Sequence, residues 1–423
     1  MVVAAYDLTP LAAVVLAGAL LAIAPLAWVL LRHRDARPAA RLRALTVLTL
    51  FLTFDLVIFG AFTRLSDSGL GCPDWPGCYA SASPLGARDA IHAAQSTLPG
   101  GPVTHVKAWI EMTHRYLATA VGALIAVLAA WSWLDARRRG RHIRSQSHSH
   151  SHSHSHHRPH RKHDRAARIG GQQAAAMPAD TAPVSPWWAT ATLLWVCVQG
   201  AFGALTVTMK LYPLIVSLHL LGGLGLLVLL AAQSCAYLAA PLALTPRLYR
   251  AALVLAALVG VQIALGAWVS TNYAVLACQT FPTCQGSWWP SMDFAQGFTL
   301  LRELGAGKDG GYLPFPALTA IHYVHRLGAY VVLAALLWFA ARLYASGDSA
   351  LRRWSFGLAG VALWQLASGL GNVLLGWPLL AALAHTAGAA ALVTMLTLLI
   401  SRARQHLFAG LTAAPVRRRG GVS

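Results

Sequence analysis

Two stretches of this chain repeat one another. GAFTRLSDSGLGCPDWPGC, ending at Cys78, is followed by EMTHRYLA, and GAWVSTNYAVLACQTFPTC, ending at Cys284, is followed by IHYVHRLGAY. In each, a glycine (Gly60, Gly266) stands twelve residues before the first of two cysteines, the cysteines lie six positions apart, and a His-Arg step opens an apolar run. A chain built this way folds as two copies of one unit, so a site in one copy has a counterpart in the other.

The unit belongs in a membrane. Hydrophobic residues make up 57% of the 423 positions and charged residues 11%, with a mean hydropathy of +0.54, too apolar for a soluble domain of this size. Runs long enough to cross a hydrocarbon layer as helices fall at about 9–31, 44–63, 108–134, 187–208, 214–239, 250–270, 318–344, 355–375 and 379–401. The expected fold is an all-α polytopic membrane protein of about nine spans. Aligning the repeats also matches QGAFG (199–203) with QLASG (365–369), and SLHLLGG around His219 with LAHTAGA around His385. This gives two tandem four-helix bundles, residues 42–240 and 241–401. Residues 1–41 form one extra N-terminal transmembrane helix with a basic loop, and 402–423 a basic tail.

The net charge of +19 reads as topology. Most Lys and Arg fall in alternate loops, which the positive-inside rule places in the cytoplasm, so no nucleic-acid partner is expected. The membrane lipid itself is the surrounding partner. The N-terminus and both cysteine loops then lie outside, and the C-terminus inside, as in a bacterial inner (plasma) membrane protein. The first run lacks a basic leader and a small-residue cleavage site and is followed by Arg32, Arg34 and Arg37, which favours a retained anchor. Within 137–186 lies a Ser-His and Arg tract with nine histidines between 142 and 163. Such a composition buries too little apolar surface to fold, so a disordered cytoplasmic insertion is expected there.

Four of the six cysteines occupy the two outer loops, where disulfides are permitted; Cys197 and Cys235 fall inside spans as packing residues. Cys72–Cys78 and Cys278–Cys284 would each close a small ring, and pairings across the loops fit the same count. Two thiols per loop without a well-spaced histidine pair weigh against zinc.

Four histidines stand at matched places near the outer ends of spans: His114, His219, His325 and His385. Polar groups at membrane depth are costly and usually functional. Within each half the pair sits on the second and fourth helices, which enter from the same side, so the two imidazoles can face each other across a bundle core. Two imidazoles suit axial ligation of a haem iron and are too few for zinc. His322 shares a helix face with His325 and is an alternative ligand, although the repeat pairs His325 with His114. Gly200, Gly203, Gly369 and Gly371 suit close approach to a flat macrocycle or helix packing. Arg115 and Arg326 are candidates to pair with haem propionates or to reach for headgroups. One position breaks the symmetry: Glu111 precedes His114 by three, where the second half has His322. A carboxylate there is placed to relay protons or to position a reacting group.

Together TRLSDSGLGCPDWPGC, EMTHR, SLHLLGG, YVHRLGA and LAHTAGA, spread over about 42–401, resemble the heme A synthase family, the bacterial type with cysteine pairs in its outer loops. The resemblance implies an oxidoreductase that converts the C8 methyl of heme O to a formyl group for cytochrome c oxidase assembly. Two hydroxylations with molecular oxygen as co-substrate are followed by loss of water. It further implies a permanent haem b on His325 and His385, with Arg326 beside it, and the heme O substrate facing His114 and His219. Glu111 belongs to the reacting site and Cys72–Cys78 to the family's first-loop pair. Heme O synthase is the expected upstream partner, along with an electron donor that the sequence does not identify. The rival reading is a quinol-linked di-haem b-type electron carrier that leaves its haem unaltered; a transporter fits less well, because the halves run in the same orientation.

Overall fold

A computed structural model describes residues 9–151, 184–237, 240–307 and 311–412. The chain forms α1 (Thr9–Arg32), α2 (Pro38–Leu65), α3 (Arg88–Thr97), α4 (His105–Ser151), α5 (Pro186–Thr208), α6 (Pro213–Ala236), α7 (Pro246–Thr271), α8 (Phe294–Gly297), α9 (Phe315–Tyr344), α10 (Ser349–Leu374) and α11 (Leu379–Thr412). Among the described residues nine of these helices are long and apolar enough to cross a membrane, and extended structure is limited to isolated bridges. The all-α polytopic membrane fold is thus established.

The helices begin and end where local chemistry dictates. Proline occupies the first turn of α2, α5, α6, α7 and α9, where its missing N–H would have no partner anyway. Asp348 caps α10 by accepting from the Ala350 and Leu351 amides at 2.7 and 2.9 Å, and Thr245 caps α7. After α2 and α7 the chain turns through left-handed residues, Asp67 and Tyr273; after α5 and α10 it turns through Leu211 and Trp377.

Packing closes each half into a ring. In the first, α2 lies against α4 and α6, and α5 joins α4 to α6; in the second, α7 lies against α9 and α11, and α10 joins α9 to α11. The rings meet along α6, α2, α7 and α11, where Leu224, Leu227 and Ala390 are buried with Leu50, Phe54, Val57 and Ile263 packed on them. Each ring has its own apolar core, one around Leu45, Leu124 and Leu230 and the other around Phe339, Leu358 and Leu399.

Two expectations change. The extra first helix is more than an appendage: α1 packs along α4, its Gly18 lying so close to Thr119 that a Cβ would overlap it. Val14 is buried in one cluster with Cys72, Cys78 and Met112. Residues 137–151, expected to be unfolded, continue α4. Extending an existing helix adds a hydrogen bond per residue without a new nucleation cost, so the membrane helix carries this polar stretch as its extension. The rest of the His-rich tract, from 152 to 183, lies outside the described residues.

Candidate functional site

The four histidines sit six to ten residues into α4, α6, α9 and α11, about 9–15 Å along the helix axis. All four helices start at the face that carries the cysteine loops, so the histidines share one level. They come in couples. His114 interacts electrostatically with His219, and His325 with His385, one couple inside each ring.

Every histidine ring leans on a glycine of the neighbouring helix. A Cβ at Gly60 would stand 2.9 Å from His114 Nε2, one at Gly266 2.9 Å from His325 Cε1, one at Gly369 3.3 Å from His385 Cε1, and one at Gly203 3.5 Å from His219 Cε1. Gly203 and Gly369 therefore face histidines. Gly371 packs on Ala381, and Gly200 faces open space.

Behind the rings the halves differ. The Gln262 amide lies 2.9 Å from His325 Nδ1 and donates to the His325 carbonyl at 2.8 Å. Ser368 Oγ lies 3.1 Å from His385 Nδ1, and the Gln365 amide donates to the His385 carbonyl at 2.9 Å. In the first half His219 Nδ1 faces the Gln199 carbonyl without reaching hydrogen-bond geometry, and is buried with no partner. The His114 ring stacks on Phe59, with centroids 6.3 Å apart and planes 6° from parallel. These residues fit a flat iron macrocycle. The histidines occur as couples, with no group of three His, Cys, Asp or Glu side chains among the described residues. In the second half Ser368 Oγ can accept from a His385 Nδ1–H, which would leave Nε2 for a metal, whereas Gln262 presents its amide N–H to His325 Nδ1.

Above the couples sit the cysteine loops, each closed by its own disulfide, Cys72–Cys78 and Cys278–Cys284. Both end in the same two-residue turn. Cys78 and Ser81 exchange backbone hydrogen bonds around Tyr79 and Ala80, and Cys284 and Ser287 do so around Gln285 and Gly286. All four turn residues have positive φ, as this tight reversal requires. The arginines after the histidines hold these loops. Arg115 donates to the carbonyls of Asp74 and Pro76 at 3.1 and 3.2 Å, and also to that of Gly77. Arg326 donates to Cys278, Thr280 and Thr283 at 2.9–3.0 Å.

Glu111 is 4% exposed. Its Oε2 accepts from the Cys72 N–H at 2.7 Å, and its Oε1 pairs with Arg115. The carboxylate thereby ties the first loop to the helical turn below it, which ends at His114. At the matching place His322 Nδ1 lies 3.0 Å from the Ala274 carbonyl, so that ring serves the second loop.

Sequence reasoning missed three groups. Arg302 is 6% exposed, bonded to Asn272 Oδ1, with its Nε buried and unpartnered; burial holds this guanidinium below its ordinary range, with Tyr212 opposing. The seam between the halves carries Arg64, whose guanidinium lies 4.1 Å over the Tyr273 ring, while the Tyr273 hydroxyl donates to Asp67 at 2.7 Å. Burial pushes the Tyr273 phenol up, partly offset by Arg64. The glutamines behind the histidines were legible as Q-x-x-x-G, which occurs at 199–203, 262–266 and 365–369.

Comparison with known proteins identifies the family. Residues 43–397 match the model of a family described as cytochrome oxidase assembly protein. The chain is 33% identical over 362 residues to the heme A synthase of Shewanella oneidensis, covering 82% of this chain and 92% of that one. It is 28% identical to the heme A synthases of Chelativorans sp. (79% and 83% covered) and Mesorhizobium japonicum (84% and 88% covered).

Proposed function

The chain belongs to the cytochrome oxidase assembly protein family, and on that premise we propose that it is a heme A synthase, the name its relatives carry. It acts as an oxidoreductase on heme O, taking the C8 methyl to a formyl group through oxygen-using hydroxylations and loss of water. The observation that carries this reading is the pair of histidine couples inside duplicated rings, unequal in what surrounds them.

His325 and His385 would hold a haem b, which when bound would supply one-electron chemistry. His114 and His219 face the heme O substrate. Glu111, one helical turn from His114 and backed by Arg115 and the Cys72 N–H, holds or moves a proton beside the reacting site. Arg115 and Arg326 keep the loops closed over the couples and give each site positive charge toward haem carboxylates. A plain electron carrier has no use for a carboxylate in one half and His322 in the other, so this asymmetry supports the synthase. The arginine-rich loops support an inner-membrane orientation with the cysteine loops and N-terminus periplasmic and the C-terminus cytoplasmic. Heme O synthase is the partner that would supply the substrate.

The test is the haem profile of membranes from aerated cells making this chain together with a heme O synthase. Heme A that appears only when the chain is present supports the synthase. Heme O left unconverted beside bound haem b overturns it.

A further inference from the structure

Two of the four histidines are held by a glutamine clamp, a third keeps its residues without the hydrogen bond, and the fourth lacks them. Behind His325, His385 and His219 stand Gln262, Gln365 and Gln199, each four residues before the glycine that meets the ring. Three residues after each of these histidines comes another glycine: Gly328, Gly388 and Gly222. The space of each is filled by the glutamine side chain, so that a Cβ there would overlap the amide. Clearing the helix surface beside the histidine carbonyl is what lets the Gln262 and Gln365 amides donate to it.

At His114 both parts are missing. Leu56 stands four residues before Gly60, and Leu117 stands three after His114. Leucine has no donor at the first place and fills the gap at the second. His114 is thus set by its glycine, by the stack on Phe59 and by its helix alone.

We infer that the first half lacks the clamp, His219 having no bond from Gln199 and His114 having Leu56 and Leu117 in place of both parts, and that this makes the first-half site the exchangeable one. A group behind a metal-bound imidazole fixes its orientation and typically changes metal affinity about 10–100-fold when removed. A synthase must take in heme O and let heme A go, so the half that exchanges haem is better served by an imidazole that can yield. The half that keeps its haem is better served by Gln262 and Gln365. This inference rests on the synthase reading for its purpose but not for its test.

The test is haem transfer from the full-length protein in detergent, loaded with haem b in both halves, to apomyoglobin. Wild type should release haem in a fast and a slow phase. Gln262→Leu, which installs the residue found at Leu56, should speed the slow phase about 10-fold and alter the low-spin spectrum of the retained haem. Leu56→Gln combined with Leu117→Gly should slow the fast phase by a similar factor. Should the double variant fail to hold haem at all, the Gln262→Leu arm decides. A slow phase unmoved in Gln262→Leu, or a single phase for wild type, overturns the inference. A wild type that releases haem in two phases but forms no heme A from heme O overturns the synthase reading alone.

Discussion

The two cysteine loops have one construction and two anchors. Each is a disulfide ring ending in the same tight turn, and each is gripped by the arginine that follows a site histidine. Under the first loop, however, the grip is completed by a carboxylate shared between Arg115 and the Cys72 N–H; under the second it is completed by an imidazole on a backbone carbonyl. A neutral ring suffices to hold a loop. Burying Glu111 beside Arg115 carries a desolvation cost that an ion pair often fails to recover, a cost that the proposed proton role of Glu111 would justify. The same inequality runs through the layer below, where Gln262 and Ser368 back the second couple while His219 Nδ1 has no partner. This is the inequality that the proposed function asks for, with a second half that keeps its occupant and a first that works on one.

The sharpest way to break this comparison is to remove a proposed ligand from the half proposed to keep its haem. His385→Ala should lose essentially all second-half haem b, read as haem per protein by the pyridine haemochrome spectrum, while His114→Ala should leave that haem in place. Equal losses from both variants would show that the halves do not divide the work. Next comes Glu111. Glu111→Ala should lower heme A formation at least about 100-fold, in the range expected of a positioned proton-transfer group, with second-half haem retained. Because the alanine also leaves Arg115 and the Cys72 N–H unpaired, Glu111→Gln is the informative partner. It preserves one acceptor for the loop, so lost product with normal thermal stability separates proton handling from anchoring, whereas normal product would reduce Glu111 to a loop anchor.

A smaller effect distinguishes the disulfides. Opening either small ring should cost about 2 kcal/mol on the loop-entropy account, measured as a drop in melting temperature of the detergent-solubilised protein. The first ring, however, is packed with Val14 of α1 and Met112 of α4, whereas the second is packed with Tyr323 and Met292. Cys72→Ser with Cys78→Ser should therefore loosen α1 as well, seen as new proteolysis near its end, and the second pair should not. Proteolysis at α1 in both double variants would mean that α1 does not depend on the first ring.

Much of this was legible in the chain. Spans and halves follow from apolar runs and from a duplicated motif, because burial in lipid and repetition both leave their mark residue by residue. The candidate histidines stood out because a repeat says which of several histidines match; it set His325 over His322, and His322 faces the Ala274 carbonyl. What sequence did not show was direction. Nothing in the order of residues says that Arg115 turns its donors up to the loop, that α1 lies on the first disulfide, or that α4 continues through Ser151. Those follow from packing between segments far apart in the chain. The Gln262 and Gln365 clamps lie between these extremes, since their spacing is written three times and only the missing fourth copy gives it meaning.

The seam where the halves meet gives the finest test. Asp67 and Tyr273 occupy the same place in the two repeats, both with positive φ, and they bond to each other across the seam, under Arg64. Tyr273→Phe keeps the ring on Arg64 and removes only the hydroxyl bond, so it should cost about 1 kcal/mol at neutral pH. Its pH dependence is more telling. Burial keeps the Tyr273 phenol protonated to higher pH in the folded state than in the unfolded chain. The folded state therefore holds more protons in the alkaline range, and stability that is complete below the ordinary phenol range falls as pH rises through it. Tyr273→Phe should flatten that alkaline fall in thermal unfolding between pH 7 and about 10.5. If wild type and variant lose stability in parallel, the seam does not rest on this contact. The two halves would then be joined chiefly by the apolar packing of α2, α6, α7 and α11.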